Sequence, residues 1–230
     1  MPKHILHAFE DSLQTLKQAV MTMASHAQRM LSESVRGLLE RDNALCNKVI
    51  ADDDEVDQLE VQVDRDGVQI IMKYSPVAAD LRRVMMTIKV GQQLERVADE
   101  AVNIARRART MNQHAPVQET ALIQAMYDLA AAMLRDAVTS YNEGNLRLAL
   151  GIEVRDQELD RRHAELIKSM VARAVENASQ VEDYLDLIFI VRFLERIGDH
   201  AVNIAEDTVY AESAYDIRHG GERPQIEASA

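Results

Sequence analysis

The stretch Leu94-Glu-Arg-Val-Ala-Asp-Glu-Ala-Val-Asn-Ile-Ala105 decides the fold, because it occurs twice. It returns one hundred positions later as Leu194-Glu-Arg-Ile-Gly-Asp-His-Ala-Val-Asn-Ile-Ala205, with nine of twelve residues identical. A repeat of this length marks a chain built from two copies of one unit. Within each copy the apolar and small residues, Leu94, Val97, Ala98, Ala101, Val102, Ile104 and Ala105 in the first, share one face of an α-helix. Glu95, Asp99 and Asn103 are spaced by four and run along the edge of that face; Glu195, Asp199 and Asn203 repeat them.

Outward from this block, the apolar periodicity predicts six long helices, over about residues 6–41, 44–73, 76–110, 116–142, 145–177 and 179–210. In the first, Phe9, Leu13, Leu16, Val20, Met23, Ala27 and Met30 recur at spacings of four and three. Asp42-Asn43 offers an N-cap to the second helix, Ser75-Pro76 an N-cap and N1 proline to the third, and Pro116 opens the fourth. Gly144-Asn145 reads as a C′ glycine followed by an N-cap, and Ser179-Gln-Val-Glu182 as a capping box. Turns this short force neighbouring helices to run antiparallel. The expected fold is therefore all-α: two tandem antiparallel three-helix bundles related by duplication, residues 1–112 and 113–212. The tail, 213–230, has no periodicity and is expected to be disordered.

Composition agrees with this class and excludes others. Of 230 residues, 47% are hydrophobic, yet there is no Trp, three Phe, eight Gly and four Pro, a balance that favours long helices over sheets. The net charge of −12 argues against a nucleic-acid partner. A single cysteine, Cys46, excludes an internal disulfide and a cysteine zinc site. The strongly apolar run Leu187–Val191 is far too short to span a bilayer, and no apolar segment follows the start, so a cytoplasmic protein without membrane insertion is expected.

A second repeated motif bears on chemistry. Asp53-Asp-Glu-Val-Asp57 and Asp156-Gln-Glu-Leu-Asp160 share the pattern Asp-x-Glu-[Val/Leu]-Asp. Antiparallel pairing about the turn near residues 74–75 sets residue n opposite roughly 150 − n. That sets Asp53 opposite about residue 97 and Asp57 opposite about 93, and the turn near 178–180 sets Asp160 level with about 199 and Asp156 with about 203, so that both acid motifs fall at the same height on adjacent helices. Carboxylates four apart repel on a helix, and oxygen donors in such number suit Mg²⁺, Mn²⁺ or iron rather than Zn²⁺. The plainer answer is that Arg96 relieves the repulsion. The copies differ at the end of the stripe, where Arg106 competes with a cation and Glu206 adds a ligand. The second repeat is therefore expected to hold metal more tightly. Asp160-x-x-His163 resembles half of a di-iron ligand pair, but Glu60 stands at the matching place in the first repeat and no Glu-x-x-His occurs. No glycine-rich phosphate loop is present.

The run Tyr74-Ser-Pro-Val-Ala-Ala-Asp-Leu-Arg-Arg83, with Leu94-Glu-Arg-x-x-Asp and Leu194-Glu-Arg-Ile-Gly-Asp-His-Ala-x-Asn-Ile-Ala, closely resembles the PhoU family, up to about Tyr210. The resemblance implies two three-helix bundles in tandem. It also implies multinuclear metal clusters on Glu/Asp-x-x-x-Asp motifs, which map here to Glu95/Asp99 and Glu195/Asp199. Val97-Ala98 and Arg106 set the first copy apart from that pattern. What the family implies is regulation rather than catalysis: contacts with the phosphate ABC transporter ATPase and a sensor histidine kinase that keep the phosphate-starvation response off when phosphate is plentiful. A homodimer fits the broad side faces of long bundles. Two other readings remain open on the residues alone: a carboxylate-bridged metalloenzyme, and a metal-free helical scaffold that docks through its acid stripes.

Overall fold

The computed structural model describes residues 3–218 with 221 and 224, and side chains from residue 7 onward. Among these residues there is no strand. The helices are α1 (Lys3–Leu39), α2 (Asn43–Tyr74), α3 (Ala78–Met111), α4 (Ile123–Glu143), the short α5 (Leu146–Leu150), α6 (Ile152–Glu176) and α7 (Val181–Ser213). The four-and-three stripe of α1, from Phe9 to Met30, is buried throughout, as are Val49, Val56, Val63 and Ile70 of α2. Leu45 and Leu59, expected to point inward, are half-buried.

Two expected caps are present. Asp42 accepts from the backbone N–H groups of Ala44 and Leu45. Gly144 takes the left-handed conformation after α4, and Asn145 accepts from Leu148 N–H. Other helix starts differ from expectation. Ser75 caps the C-terminus of α2, not the N-terminus of α3: its φ is 48° and its N–H donates to Ile71. The residue before a proline is disfavoured in the right-handed helix, so the chain turns at Ser75, passes extended Val77, and α3 opens only at Ala78. Pro116 precedes buried Val117 and a 3-10 turn, Gln118–Leu122, before α4 begins. The capping box gives way to a second 3-10 turn, Ala178–Gln180. The expected fifth helix is broken at Gly151, whose N–H closes back on Leu148 and Ala149. The tail expected to be disordered lies largely outside the described residues.

α1, α2 and α3 pack on one another, α4 and α6 pack on α7, and α3 packs on α7. The buried apolar residues of both halves join in one continuous core. α3 and α7 run antiparallel along their length. Arg82 Nε donates to Ala211 O (3.2 Å), Lys89 Nζ pairs with Asp207 (2.7 Å), Arg196 with Glu100 (2.7 Å), and Arg107 with Asp186. These contacts obey the internal repeat. The Lys89–Asp207 pair has as its counterpart Phe189 and Arg107, whose guanidinium lies 3.9 Å from the ring centroid. The halves are thus related by an approximate two-fold normal to the plane of the α3–α7 pair. Such an axis keeps equivalent positions on the same broad face. The duplication reaches the surface too: exposed Val68, Met72, Leu81 and Met85 recur as exposed Val171, Val175, Val181 and Leu185.

Candidate metal centres on the duplicated helices

The fold places the repeated acids at the middle of the α3–α7 pair, one set in each half, on one face. In the first repeat, Asp53, Asp57, Glu60 and Asp64 of α2 follow one another at helical spacings of four, three and four toward α3. Burial pushes the Glu95 carboxyl up to about 7, with further contributions from Asp99, Glu60 and Asp57. Burial likewise raises Asp53, reinforced by Asp57 and Asp99 and opposed by Arg106. Glu60 is raised by burial, Asp64 and Asp57, against Arg96. One carboxylate oxygen of Asp64 is buried without a hydrogen-bond partner.

In the second repeat, α6 presents Asp156, Asp160 and His163 to Glu195 and Asp199 of α7. Burial drives Asp156 up to about 7, helped by Asp160, Asp199 and Glu195. Glu195 and Asp199 are raised in the same way, first by burial and then by neighbouring carboxylates. His163 is pushed down by burial, while Asp160 and Asp199 act to raise it. Asp156 Oδ1 and His163 Nε2 are buried and make no hydrogen bond. Gly198 lets α6 approach: a Cβ there would collide with Leu159 Cδ2 and stand 3.4 Å from Asp156 Oδ1.

The predicted residues therefore divide. Asp53, Asp57, Glu95 and Asp99 act on one another, as do Asp156, Asp160, Glu195 and Asp199. None of these eight forms an ion pair within 4 Å, although acids elsewhere are met by cations, as Asp52 is by Arg29 and Asp136 by Arg155. Arg96 acts on Glu95 at a distance without pairing. Asn103 and Asn203 turn instead to the α3–α7 seam, where Asn103 Nδ2 donates to Glu100 (3.4 Å) and Asn203 Nδ2 to Gln93 (3.2 Å). Glu206 is raised by burial, and Arg218 is the largest charge acting on it. Glu60, Asp64 and His163 extend the stripes on α2 and α6 and were not among the expected site residues. Their spacing on α2 and α6 was the signal that could have found them.

Among the described residues no three His, Cys, Asp or Glu side chains stand together so that they could hold a metal ion. The acids stand level and feel one another, but the clusters are open. Partly desolvated carboxylates that repel, with buried polar atoms left unpaired beside them, would be relieved by a positive charge, but the side chains would have to draw together to ligate one. The side chains that would have to close on a cation are Asp53, Asp57, Glu60, Glu95 and Asp99 in the first repeat, and Asp156, Asp160, His163, Glu195 and Asp199 in the second.

Comparison with known proteins follows the duplication. The PhoU domain profile matches residues 20–108 and again 123–208. The chain is 33% identical over 223 residues to a phosphate-specific transport system accessory protein PhoU homolog of Rhizobium meliloti (strain 1021), covering 96% of this chain and 93% of that one. It is 30% identical over 219 residues to the homolog of Pseudomonas putida, covering 95% and 86%. The crystal structure of PhoU from Pseudomonas aeruginosa superposes with a TM-score of 0.86 at 28% identity, over 88% of this chain and 98% of that one. The Streptococcus pneumoniae phosphate transport system regulatory protein PhoU shares the fold, with a TM-score of 0.84 at 21% identity over 91% and 99%.

Proposed function

Because the chain belongs to the PhoU family, we propose that it is an accessory regulator of phosphate transport, acting by contact and not by catalysis. It holds the phosphate-starvation response off when phosphate is plentiful, through the ATPase of a phosphate ABC transporter and a sensor histidine kinase. The observation that carries this reading is the double PhoU match, one in each repeat. The family is one of transport accessory proteins rather than enzymes. The exposed apolar positions repeated at the two hairpin ends support protein contact as the working mode. No helix among the described residues is long and apolar enough to cross a membrane, which supports a cytoplasmic site of action beside the transporter. A homodimer is part of the proposal.

Metal completes it. The open carboxylate clusters would bind Fe, Mn or Mg and fix α2 against α3 and α6 against α7, stiffening the face on which both clusters lie. The rival docking scaffold would keep that face metal-free. Elemental analysis before and after chelation separates the two.

The decisive test of the regulatory role is deletion of the gene. Phosphate-starvation genes should then be expressed in phosphate-rich medium, and restoring the gene should silence them. Normal repression in the deletion strain would overturn the proposal.

A further inference from the structure

The exposed apolar positions at the hairpin ends are not scattered. On α3 the outward stripe continues from its acids toward the α2–α3 turn at spacings of four and three: Asp99, Glu95, Gln92, Ile88, Met85, Leu81. On α2 the stripe of Asp57, Glu60 and Asp64 continues into Val68 and Met72. The two helices approach closely here: a Cβ on Gly67 would collide with Ile88, and one on Gly91 would stand 3.2 Å from Val63. These contacts fix the register, with Met72 level with about residue 82, Val68 with about 86, Asp64 with about 90 and Glu60 with about 94. The outer face of the hairpin therefore changes character along its length. Its tip is apolar: Met72 is 76% exposed, Val68 51%, Met85 43% and Leu81 36%. Further in it is acidic. There Asp64 keeps one buried carboxylate oxygen without a partner, and Arg96 acts on Glu60 and Glu95 only at a distance.

Contiguous exposed apolar surface marks a contact site, and the charge beside it selects the occupant. A second copy of this chain, at net charge −12, brings like charge to the face, and an anionic lipid surface does the same. A cationic partner relieves the carboxylates instead. We propose that the outer face of the α2–α3 hairpin docks a basic amphipathic helix of a protein partner. The helix lays two turns of apolar side chains over Leu81, Met85, Val68 and Met72, and sets the Lys or Arg of its next turns against Asp64, Glu60 and Glu95. Leu81 to Glu95 spans about 21 Å, roughly four helical turns. The α6–α7 hairpin repeats the apolar tip with Val171, Val175, Val181 and Leu185. It carries His163 and Ile167 in place of Glu60 and Asp64, however, and Arg192 in place of Gln92. It keeps the apolar anchor and loses much of the charge match, so the first hairpin is the selective one. This inference rests on the reading of the protein as one that works by contact, and not on metal.

The test uses the full chain, stripped of metal, and a labelled probe peptide of about 18 residues, or five helical turns. The peptide carries Leu at helical spacing in its first turns and Arg at the same spacing in the next. A second peptide reverses the two blocks, because a docked helix can run either way, and a third replaces each Arg by Glu. One of the two Arg peptides should bind, more weakly as salt rises, and the Glu peptide should not. Leu81→Ser/Met85→Ser should weaken binding about tenfold or more, the scale of losing central anchors. Glu60→Gln/Asp64→Asn should weaken it less and flatten the salt dependence. Val181→Ser/Leu185→Ser should leave the tighter binding phase unchanged. Each variant is checked for helicity. Failure of both Arg peptides to bind, indifference to the Arg-to-Glu exchange, or equal loss in the Val181→Ser/Leu185→Ser variant overturns the inference. So does a wild type that light scattering shows to be a dimer and that Leu81→Ser/Met85→Ser makes monomeric, or one that binds phosphatidylglycerol vesicles through these residues and no peptide. In cells, Leu81→Ser/Met85→Ser should express phosphate-starvation genes in phosphate-rich medium. If that variant represses normally while the deletion strain does not, this face is not the working contact and the regulatory reading stands. If the deletion strain itself represses normally, the regulatory reading fails and the peptide measurements alone decide the docking face.

Discussion

Position 100 is a buried glutamate held by Arg196 at 2.7 Å, while its counterpart, position 200, is a buried histidine facing Arg96. His200 Nδ1 donates to Gln93 Oε1 (2.9 Å), and burial, with Arg196 and Arg96 beside it, lowers its pKa to about 4. Likewise Lys89–Asp207 is an ion pair, and its counterpart is Phe189 beneath Arg107. At these two symmetric contacts of the seam, one half is an ion pair and the other is not. The acid face has diverged in the same manner, from six carboxylates to four and a histidine. Duplicated positions keep their place in the fold while the chemistry they present to a partner changes.

The largest effect expected from this asymmetry is on metal content. Glu195→Ala/Asp199→Ala should remove more bound metal than Glu95→Ala/Asp99→Ala, since Arg106 acts directly on Asp53 in the first cluster. Glu206, expected to be an extra ligand, adds less to this difference than the sequence implied, because Arg218 engages it. Equal losses by elemental analysis would erase the distinction between the halves.

Next comes the seam. Arg196→Ala strands Glu100, whose side chain is 3% exposed, whereas Arg196 itself is 47% exposed. Breaking a buried pair costs about 3–5 kcal/mol, and the exposure of the arginine lowers the expectation to about 2–3 kcal/mol. Arg96→Ala breaks no ion pair within 4 Å, because His200 is neutral and Arg96 acts on Glu95 and Glu60 only at a distance, and should cost below about 1 kcal/mol. Urea unfolding of the two variants measures the difference; similar midpoints would mean that the seam is symmetric in energy despite its chemistry.

A smaller effect separates Gly198 from Ala98. Gly198→Ala would gain up to about 1 kcal/mol in helix propensity, but its new methyl meets fully buried Leu159. Overpacking costs about 1–3 kcal/mol, so a net loss of about 1 kcal/mol is expected. Ala98→Gly meets no clash and should lose the propensity, about 1 kcal/mol, together with the packing of a buried methyl. Thermal unfolding distinguishes the mechanisms if Leu159→Ala is added: it should relieve part of the first penalty and none of the second. A Gly198→Ala variant as stable as the wild type would show that α6 can retreat.

Most of the architecture was legible because helices announce themselves locally. The stripe of α1 and the caps at Asp42 and Gly144-Asn145 needed only spacing and turn chemistry. Boundaries failed where the chain had competing options: Ser75 could cap either neighbour, and the proline after it decided which. Gly151 looked like an ordinary glycine inside a helical period, and nothing local marked it as a break. For the site, the level of the acids followed from antiparallel pairing, since length along a helix is fixed. Their direction did not, because the azimuth of Asn103 and Asn203 depends on α7 lying against α3. His163 was visible and was set aside for lacking a twin in the first repeat, although the repeats diverge at such positions.

The smallest effect, and the one that tests the likeness of the two clusters, is on stability against pH. Without metal, Glu95 and Asp156 both titrate at about 7, against ordinary values of 4.5 and 3.8. Between those limits these two carboxyls hold more protons in the folded chain than in the unfolded one. Stability therefore falls as pH rises through this window and levels off above it. His114, raised by its bond to Asp183, acts in the same direction at somewhat higher pH. Urea midpoints of the metal-free protein at pH 5 and pH 7.5 should differ in favour of the lower pH. Glu95→Gln and Asp156→Asn should each remove part of that difference; what remains is the balance of the other raised carboxyls and His114 against His163 and His200, whose lowered values act the other way. Metal reverses the sign, because ligands must give up protons to bind it: affinity should rise across the same window as the apo protein weakens. If Asp156→Asn flattens the profile and Glu95→Gln does not, the first cluster is solvated and only the second is strained.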